Sequence, residues 1–413
     1  MIARHVHALL RDALADTPVV LVNGARQVGK STLVRDPAGV GAGRRYLTLD
    51  DPGVLAAARR DPVGFVEGLA LPTTLDEIQL APELLPAIKM AIDRRREPGR
   101  FILTGSADVL LLPKASESLA GRMEILTMWP FSQGEVEGRR EGFVDDLFGA
   151  RPRWVGDVPA AMSRDEVMER AMLGGYPPVV SRTGESRRRA WFESYLTTLL
   201  QRDIRELAQV ADVTAVPRLM AVLATRVGGL LNVADLSRSL ALPQSTVRRY
   251  FALLEATFLV QVLRPWSANL GQRLIQTPKV YLADTGLVSH LLGLNAERLD
   301  RDPTLAGALL ENFVWMELRK QAGWGRERPT ISFWRTASGQ EVDLVLEDRS
   351  GRVVGIEVKA GATLGGGDVR GLQAMAAAVG KRWHRGVVLH TGSTVIPFAS
   401  NLHGVPISCL WRS

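Results

Sequence analysis

The chain has 413 residues, 46% hydrophobic with a single cysteine, Cys409, which predicts about two to four globular domains and excludes an internal disulfide and a cysteine-rich zinc site. No run reaches the roughly 18 apolar residues that cross a bilayer, and residues 1–12 are too basic for a signal peptide, so we expect a cytoplasmic protein without membrane contact. The net charge of +7 favours a nucleic-acid partner, because clustered cations release counterions from the phosphate backbone.

The first predicted element is a buried strand over residues 19–23 that leads into the pattern G-x-x-x-x-G-K-S-T. Gly24 and Gly29 let the backbone curl, so that successive N–H groups point at phosphate oxygens. Lys30 is expected to reach the β- and γ-phosphates of ATP, and the Ser31 hydroxyl to hold Mg²⁺. The alternative is a strand-turn-helix junction that happens to contain two glycines. The predicted nucleotide-binding residues are Gly24, Ala25, Arg26, Gln27, Val28, Gly29, Lys30, Ser31 and Thr32.

Three further strands are predicted nearby, over residues 45–49, 69–75 and 100–104, with helical stretches such as 83–95 between them. Strands that alternate with helices indicate an α/β fold, here a parallel sheet covered by helices. We expect this phosphate-loop NTPase core to occupy residues 1–150.

Polar residues follow two of these strands at their carboxyl ends, beside the expected phosphates. Asp76 is predicted to bind Mg²⁺ through water, and Glu77 to polarise the attacking water. Thr104 or Ser106 is the candidate sensor of the γ-phosphate. The strand before Asp76 contains Pro and Thr where apolar residues are usual, so an acidic surface turn is the alternative.

The motifs GARQVGKST, TTLDEIQ, FILTGSAD, LAGRM and WPFSQGE occur together in this order. They resemble, in order and spacing, a family of prokaryotic AAA-type ATPases, and the resemblance continues downstream. AAA-type enzymes commonly insert an arginine into a neighbour's site, and the resemblance makes Arg122 of LAGRM the candidate arginine finger. It therefore also implies a homo-oligomer in which Arg122 acts between subunits. The alternative is an ordinary surface arginine.

Residues 137–160 are rich in Gly, Pro and charge and have no sustained period, which predicts a linker or an inserted loop. Helices are expected over residues 163–173 and 187–208. The second contains QRDIREL, residues 201–207, which matches a signature of the same family after its ATPase core. We assign residues 151–210 to a helical lid or linker.

Residues 232–256 have the layout of a helix-turn-helix, which we place in a winged-helix domain over residues 211–300. A short helix is followed by a Leu-Pro turn and a second helix that carries Arg248 and Arg249. In a winged helix such arginines contact groove edges or phosphates, so DNA is the expected partner. The alternative is a protein–protein module in which both arginines are solvated.

The last predicted domain covers residues 301–413 and begins with a helix that presents Glu311. Strands follow, of which one contains Asp343 and the next contains Glu357-x-Lys359. Residues i and i+2 of a strand share a face, so Glu357 and Lys359 point the same way, and a hairpin brings Asp343 beside them. Two or three carboxylates and one ammonium suit a site that holds one or two Mg²⁺ ions at a phosphodiester.

This constellation resembles the core of the PD-(D/E)XK nucleases, which implies an αβββαβ restriction-endonuclease-like fold. Through that resemblance the catalytic candidates are Glu311, Asp343, Glu357 and Lys359, and the metal ligands are Asp343 and Glu357. Val342 stands where the family motif has proline, so a degenerate core retained for DNA or partner binding is the alternative. Only 7 of the 51 basic residues are lysines, which favours a role for the compact ammonium of Lys359.

The whole chain is therefore predicted to be a multidomain α/β protein with a parallel-sheet phosphate-loop core, a helical and winged-helix middle, and a nuclease-like C-terminal domain. The expected function is Mg²⁺-dependent ATP hydrolysis that controls a DNA-acting, metal-dependent nuclease site. The alternative is a nucleotide-gated switch that binds DNA or a protein partner and cuts nothing.

Overall fold

A computed structural model describes residues 2–106, 119–155, 162–199, 215–267 and 277–412. The chain divides into two units, residues 1–130 with 254–259, and residues 131–253 with 260–413. Each helix in the described part of the chain is too short or too polar to span a lipid bilayer.

Short apolar runs form the sheet of the first unit, and its central strands β1 and β4 are buried along their whole length. The five strands are β1 (Val19–Asn23), β2 (Arg45–Thr48), β3 (Thr73–Asp76), β4 (Phe101–Gly105) and β5 (Met123–Thr127). All are parallel, in the order β2-β3-β4-β1-β5, as the alternation of strands and helices predicted. Because all carboxyl ends lie at one edge, the residues that follow β1, β3 and β4 meet there.

Helices cover this sheet through residues at helical spacing. Leu84, Ile88 and Ile92 of one helix are fully buried and share a core with Leu75 and Leu103 of the sheet. The helices of the first unit are Val6–Asp16, Lys30–Arg35, Pro52–Arg60, Pro62–Glu67 and Leu84–Arg94.

Strand β3 is shorter than the sequence predicted, since it begins at Thr73 and not at residue 69. The preceding residue, Pro72, has no N–H to give to a ladder, which explains why the strand starts after it. Thr73 and Thr74 are nevertheless fully buried, so this weakly apolar segment is a true internal strand.

The middle of the chain is mainly helical. One of its helices, Phe143–Phe148, lies where composition predicted an irregular loop, because Phe143 and Leu147 recur at helical spacing and are buried among the glycines and arginines around them. The predicted helix 187–208 begins at Glu185, and its part that contains QRDIREL lies outside the described residues. The helices of this part are Gln133–Glu137, Phe143–Phe148, Arg164–Leu173, Pro177–Val180, Glu185–Leu199, Ala215–Ala224, Val233–Leu240, Gln244–Ala256, Thr285–Leu292 and Ala296–Arg301.

The predicted helix-turn-helix is formed by Val233–Leu240 and Gln244–Ala256, with Ala241 in a left-handed conformation between them. An antiparallel pair follows, β6 (Val260–Leu263) with β7 (Lys279–Leu282). Strand β7 is only four residues long. It ends before Asp284, whose side chain caps the next helix by accepting from the Leu287 N–H at 3.1 Å.

The C-terminal region contains a second sheet of six strands in the order β12-β13-β11-β10-β9-β8. Its strands are β8 (Thr330–Arg335), β9 (Glu341–Glu347), β10 (Val353–Lys359), β11 (Trp383–His390), β12 (Ile396–Ala399) and β13 (Leu402–Pro406). Strands β8 to β10 are antiparallel, whereas β10, β11 and β13 are parallel. The region's helices are Pro303–Trp324, Arg370–Val379 and Cys409–Arg412, so the predicted order of helix, three strands, helix and strand is present.

Candidate nucleotide site and carboxylate cluster

The loop after β1 has a backbone that only particular residues allow. Gly24 and Gly29 have φ values of 137° and 98°, and Gln27 between them has 64°, so the loop turns through left-handed conformations. A Cβ atom on Gly24 would lie 2.1 Å from the Met128 carbonyl oxygen of the chain after β5. The loop therefore packs against its neighbour so closely that the first glycine of the motif is required.

Lys30, the first residue of the helix after this loop, is only 5% exposed. Its Nζ donates to the carbonyl oxygens of Gly24 and Ala25, each at 2.8 Å. The ammonium therefore lies over the loop, at the place where the motif predicts phosphate oxygens.

Asp76 at the end of β3 is the centre of a hydroxyl network. Its Oδ1 accepts from the Ser31 hydroxyl at 3.3 Å and from the Thr104 hydroxyl, and its Oδ2 accepts from the phenol of Tyr46. Burial and the bond to Asp76 raise the pKa of Tyr46 far above its ordinary value. The Tyr46 ring is in turn covered by the Arg35 guanidinium at 3.9 Å. The network joins the phosphate loop to β2, β3 and β4.

Ser31 and Asp76 offer the hard oxygen donors that Mg²⁺ prefers, and they lie within hydrogen-bonding distance of each other beside the loop. The donor set therefore fits a hydrated Mg²⁺ ion between the Ser31 hydroxyl and the Asp76 carboxylate.

Glu77 has a left-handed backbone, with φ 60° and ψ 47°, a conformation that is uncommon for a residue with a side chain. Its N–H donates to the Thr104 hydroxyl at 3.1 Å, which links it to the network of Asp76. Its Oε2 accepts from Ser106 at 3.2 Å and from the side-chain amide of Gln79. The carboxylate is thus held by side chains from two strand ends at the phosphate edge of the sheet.

Arg122 lies at the amino-terminal ends of the parallel strands, opposite the phosphate loop. It directly precedes β5, and its carbonyl oxygen accepts from the N–H of Val19 at the start of β1. Since both strands are parallel and β1 ends at the phosphate loop, Arg122 is separated from its own loop by the full length of the sheet. Its Nε donates to Asp93 at 2.6 Å, on a partly exposed surface.

In the second unit, the strands bring the predicted carboxylates together. The last paired residues of β9 and β10 are Leu344 and Ile356, and Asp343 and Glu357 come next on the two strands. Glu357 is buried, and its Oε2 lies 3.4 Å from the Lys359 ammonium. A cleft of about 590 Å³ is lined by Glu311, Glu341, Asp343, Glu357, Lys359 and Lys279, among others. We call four of these acidic residues, Glu311, Glu341, Asp343 and Glu357, the carboxylate cluster.

Lys279 of β7, which the sequence did not single out, points into this cluster. Its Nζ lies 2.9 Å from Glu311 Oε1, 2.6 Å from Glu341 Oε1 and 3.9 Å from Asp343 Oδ1. Burial alone lowers the pKa of Lys279, but the charges of Glu311, Asp343 and Glu341 outweigh it and hold the pKa above its ordinary value. The lysine is therefore a buried ammonium ion.

Burial shifts the pKa values of acidic side chains in the opposite direction and raises them. Burial, and then the charge of Asp343, raise the pKa of Glu357 to about 9. The same two causes raise the pKa of Glu311 to about 7, although Lys279 and Tyr281 favour its ionised form.

The predicted metal ligands of this cluster, Asp343 and Glu357, face donors of the protein itself. Asp343 Oδ2 accepts from the Val358 N–H at 2.9 Å, and its Oδ1 faces Lys279. In the part of the chain that the structure describes, no group of three or more His, Cys, Asp or Glu side chains is arranged to hold a metal ion. The carboxylates that face Lys279 therefore surround an internal ammonium ion in this structure.

Arg248 and Arg249 lie on the second helix of the helix-turn-helix, and both are exposed. The Arg249 guanidinium lies 5.4 Å from the ring centre of Tyr250, a buried residue of the same helix. The predicted DNA contacts are therefore accessible.

Sequence reasoning missed four residues of these sites: Tyr46, Gln79, Lys279 and Glu341. Lys279 had a usable signal, because it is one of the few lysines in an arginine-rich chain. Gln79 lies two residues after Glu77 and within the TTLDEIQ motif. Tyr46 and Glu341 had no local signal, since their roles depend on partners from other strands.

Comparison with protein families identifies the domain type of the first unit. Residues 16–137 match the AAA domain family, which confirms the predicted AAA-type ATPase domain. Residues 164–298 match a domain of unknown function (DUF8612), and residues 306–410 match another (DUF4143). The winged-helix and nuclease-like assignments stay predictions.

Distant likenesses to solved structures include the RuvB Holliday junction branch migration motor of Thermotoga maritima, with a TM-score of 0.27 and 17% identity over 62% of this chain and 84% of that chain. A STAND-type signal transduction ATPase of Pyrococcus horikoshii gives a TM-score of 0.28 and 10% identity over 78% of this chain and 46% of that chain.

Curated relatives are more similar in sequence. The uncharacterized protein Rv2008c of Mycobacterium tuberculosis is 37% identical over 358 residues, which is 86% of this chain and 73% of the relative. The uncharacterized protein Mb2031c of Mycobacterium bovis gives the same values, and an uncharacterized protein of Haemophilus influenzae is 25% identical over 54% of this chain and 51% of that relative. The chain therefore belongs to the family of AAA-domain proteins that includes these two mycobacterial relatives.

Proposed function

We propose that the protein binds ATP with Mg²⁺ at the loop after β1, hydrolyses it there, and uses its nucleotide state to control DNA contact by the middle of the chain. The observation that carries the ATPase proposal is the hydrogen-bonded network in which Ser31 and Thr104 share Asp76 while Ser106 holds Glu77. The AAA domain match supports it.

Each residue of the site has a role that follows from its chemistry. The Lys30 ammonium exchanges two backbone carbonyls for β- and γ-phosphate oxygens, which carry more negative charge. Ser31 and Asp76 hold Mg²⁺, which neutralises charge on the transferred phosphoryl group. Glu77 orients the attacking water and accepts its proton, and Ser106, already bonded to Glu77, reports the γ-phosphate to it.

Arg122 enters this proposal only through a second subunit. Its place at the far edge of the sheet keeps it from its own phosphate loop, so it must act on the nucleotide of a neighbouring copy. To do so it exchanges Asp93, its present partner, for a γ-phosphate. We therefore propose a homo-oligomer as the active form.

The nucleotide state controls the domains that follow the ATPase domain. We keep the predicted bounds, which are 1–150 for the ATPase domain and 151–210, 211–300 and 301–413 for the domains after it. The family matches to residues 164–298 and 306–410 support boundaries near residues 150 and 300, whereas the division near residue 210 rests on the sequence pattern alone. Exposed Arg248 and Arg249 on the second helix of the helix-turn-helix are the proposed DNA contacts, within a winged-helix arrangement completed by β6 and β7.

A second candidate function is metal-dependent DNA cleavage by the C-terminal domain. The observation that favours it is that Glu311, Asp343, Glu357 and Lys359, predicted from distant parts of the sequence, line one cleft. The observation against it is the Lys279 ammonium inside that cleft. We therefore place the non-cleaving switch first.

ATP turnover by the purified protein tests the first proposal. Lys30→Ala should abolish turnover and weaken ATP binding. Lys89→Ala, a partly exposed lysine on Leu84–Arg94 of the same unit, is the matched control and should turn over ATP as the wild type does. Unchanged turnover in Lys30→Ala would refute the site.

DNA of several forms, incubated with Mg²⁺ or Mn²⁺ in each nucleotide state, separates the two candidates. Binding that depends on Arg248 and Arg249 without cleavage supports the switch. Cleavage by the wild type that is lost in Lys359→Ala establishes the nuclease instead.

A further inference from the structure

The carboxylate cluster surrounds a cation, Lys279, that does not belong to the six-stranded sheet of the C-terminal region. Lys279 belongs to β7, which pairs with β6 next to the helix-turn-helix, whereas Glu341 and Asp343 belong to β9 and Glu311 to the helix Pro303–Trp324. The side chain of Lys279 is 4% exposed. A buried ammonium is tolerated only when acidic partners surround it, and here three carboxyl groups lie 2.6–3.9 Å from it.

Protein donors already engage the oxygens on which a metal would depend. Glu311 Oε1 accepts from both Lys279 and the Tyr281 hydroxyl, the latter at 2.5 Å. Glu341 Oε1 contacts the same ammonium, and Asp343 Oδ2 accepts a backbone N–H. The backbone also closes on Glu311, because a Cβ on Gly228 would lie 3.2 Å from its Oε2.

We propose that Lys279 is the resident cation of the carboxylate cluster, where Glu311, Glu341 and Asp343 surround it, and that its ammonium excludes a divalent metal ion from the cluster. The inference concerns the same cleft as the second candidate function and argues against that function, because it names the residue that keeps the site from binding metal. It also explains why carboxylates from a helix and a strand converge in a cleft that is not a metal site in this conformation.

The physical basis is a competition between two hard cations for one set of oxygens. Mg²⁺ requires near-octahedral ligands at about 2.0–2.1 Å, including several waters, and these cannot coexist with an ammonium 2.6–2.9 Å from two of the carboxylates. Removing the ammonium leaves three acidic side chains without their shared counterion. A divalent ion then becomes their best available partner.

A titration with Mn²⁺ in the absence of nucleotide tests the proposal. Binding is measured by calorimetry and by the electron paramagnetic resonance signal of free Mn²⁺. All variants carry Asp76→Asn, which removes the proposed metal ligand of the first unit. We call the protein with Asp76→Asn alone the parent. Lys279→Met in this parent should bind about one more Mn²⁺ per chain than the parent does, and adding Asp343→Asn should abolish that gain. Lys320→Met is the matched control, because Lys320 is an equally buried lysine of the same unit with one carboxylate partner, Glu317, and it should gain none.

Two further measurements keep the test decisive if Lys279→Met does not fold. Lys279→Gln preserves a polar side chain of similar length and should show the same gain. The parent with Lys279 intact should bind Mn²⁺ no better than the parent with Asp343→Asn. A site in the intact protein that disappears in Asp343→Asn would overturn the proposal, and so would an unchanged Mn²⁺ count in a folded Lys279 variant.

The outcome is independent of cleavage. If no variant cuts DNA, the nuclease candidate fails while a gain of Mn²⁺ in Lys279→Met still establishes the resident cation. If the wild type cuts DNA with Asp343-dependent Mn²⁺ binding, the nuclease stands and the resident cation is refuted.

Discussion

Tyr46→Phe removes one of the hydrogen bonds that Asp76 accepts in the proposed ATP site. The substitution removes the phenol that donates to Asp76 Oδ2 but keeps the ring beneath the Arg35 guanidinium, 3.9 Å away. Asp76 Oδ1 retains Ser31 and Thr104. The carboxylate should therefore stay in place but lose the contact that fixes its second oxygen.

The magnitude follows from the nature of that bond. A hydrogen bond to a charged group contributes about 1.5–3 kcal/mol, and each 1.4 kcal/mol corresponds to a factor of ten in affinity. If Asp76 holds Mg²⁺ with ATP, the Mg²⁺ concentration for half-maximal turnover should rise about ten- to a hundredfold in Tyr46→Phe. Turnover at saturating Mg²⁺ should change much less, because the residues around the water are untouched.

The assay is steady-state phosphate release across a Mg²⁺ titration at saturating ATP. Tyr195→Phe is the matched control, since it also removes a buried hydroxyl, one that pairs with Tyr176 at 3.1 Å in the second unit. Its Mg²⁺ dependence should equal that of the wild type. If Tyr46→Phe shows the wild-type Mg²⁺ dependence, Tyr46 does not position Asp76 and the reasoning is wrong.

Three other substitutions test separate parts of the site. Glu77→Gln should keep ATP binding but lower turnover at least about a hundredfold, because a positioned general base contributes about 10²–10⁴; single-turnover hydrolysis at the wild-type rate would contradict this. Arg122→Ala should lower turnover about a thousandfold or more without loss of ATP binding. Wild-type turnover per chain should rise with protein concentration, and turnover that is independent of concentration would show that Arg122 is not an arginine finger. Gly24→Ala should destabilise the first unit by about 1–3 kcal/mol and weaken ATP binding, because the added methyl carbon meets the Met128 carbonyl oxygen at 2.1 Å; thermal unfolding checks it, and an unchanged midpoint would show that the loop relaxes.

The phosphate loop could be predicted because its determinants are local. Gly24, Gly29 and Lys30 are close in sequence, and the backbone turns they require are set by a few neighbouring φ angles. The positions of Asp76 and Thr104 also followed from sequence, because parallel strands bring their carboxyl ends to one edge. What could not be predicted was Tyr46, whose hydroxyl reaches Asp76 only because β2 pairs with β3.

The carboxylate cluster shows the same division. The alternation along β10 and the hairpin with β9 placed Glu357, Lys359 and Asp343 in one cleft, as predicted from residues at spacing i and i+2. The identity of the cation among them depended on β7, a short strand whose sequence, KVYL, shows nothing unusual.

The sequence by itself determined the phosphate loop, the strand ends that face it and the carboxylates that share a cleft, because each depends on backbone geometry over a few residues or on the regular spacing of strands. Only the tertiary structure decided that Arg122 lies far from its own phosphate loop and that Lys279 enters the carboxylate cluster. The physical reason is that ion pairs act through space between segments distant in sequence, and no local pattern records which charge will be buried beside which.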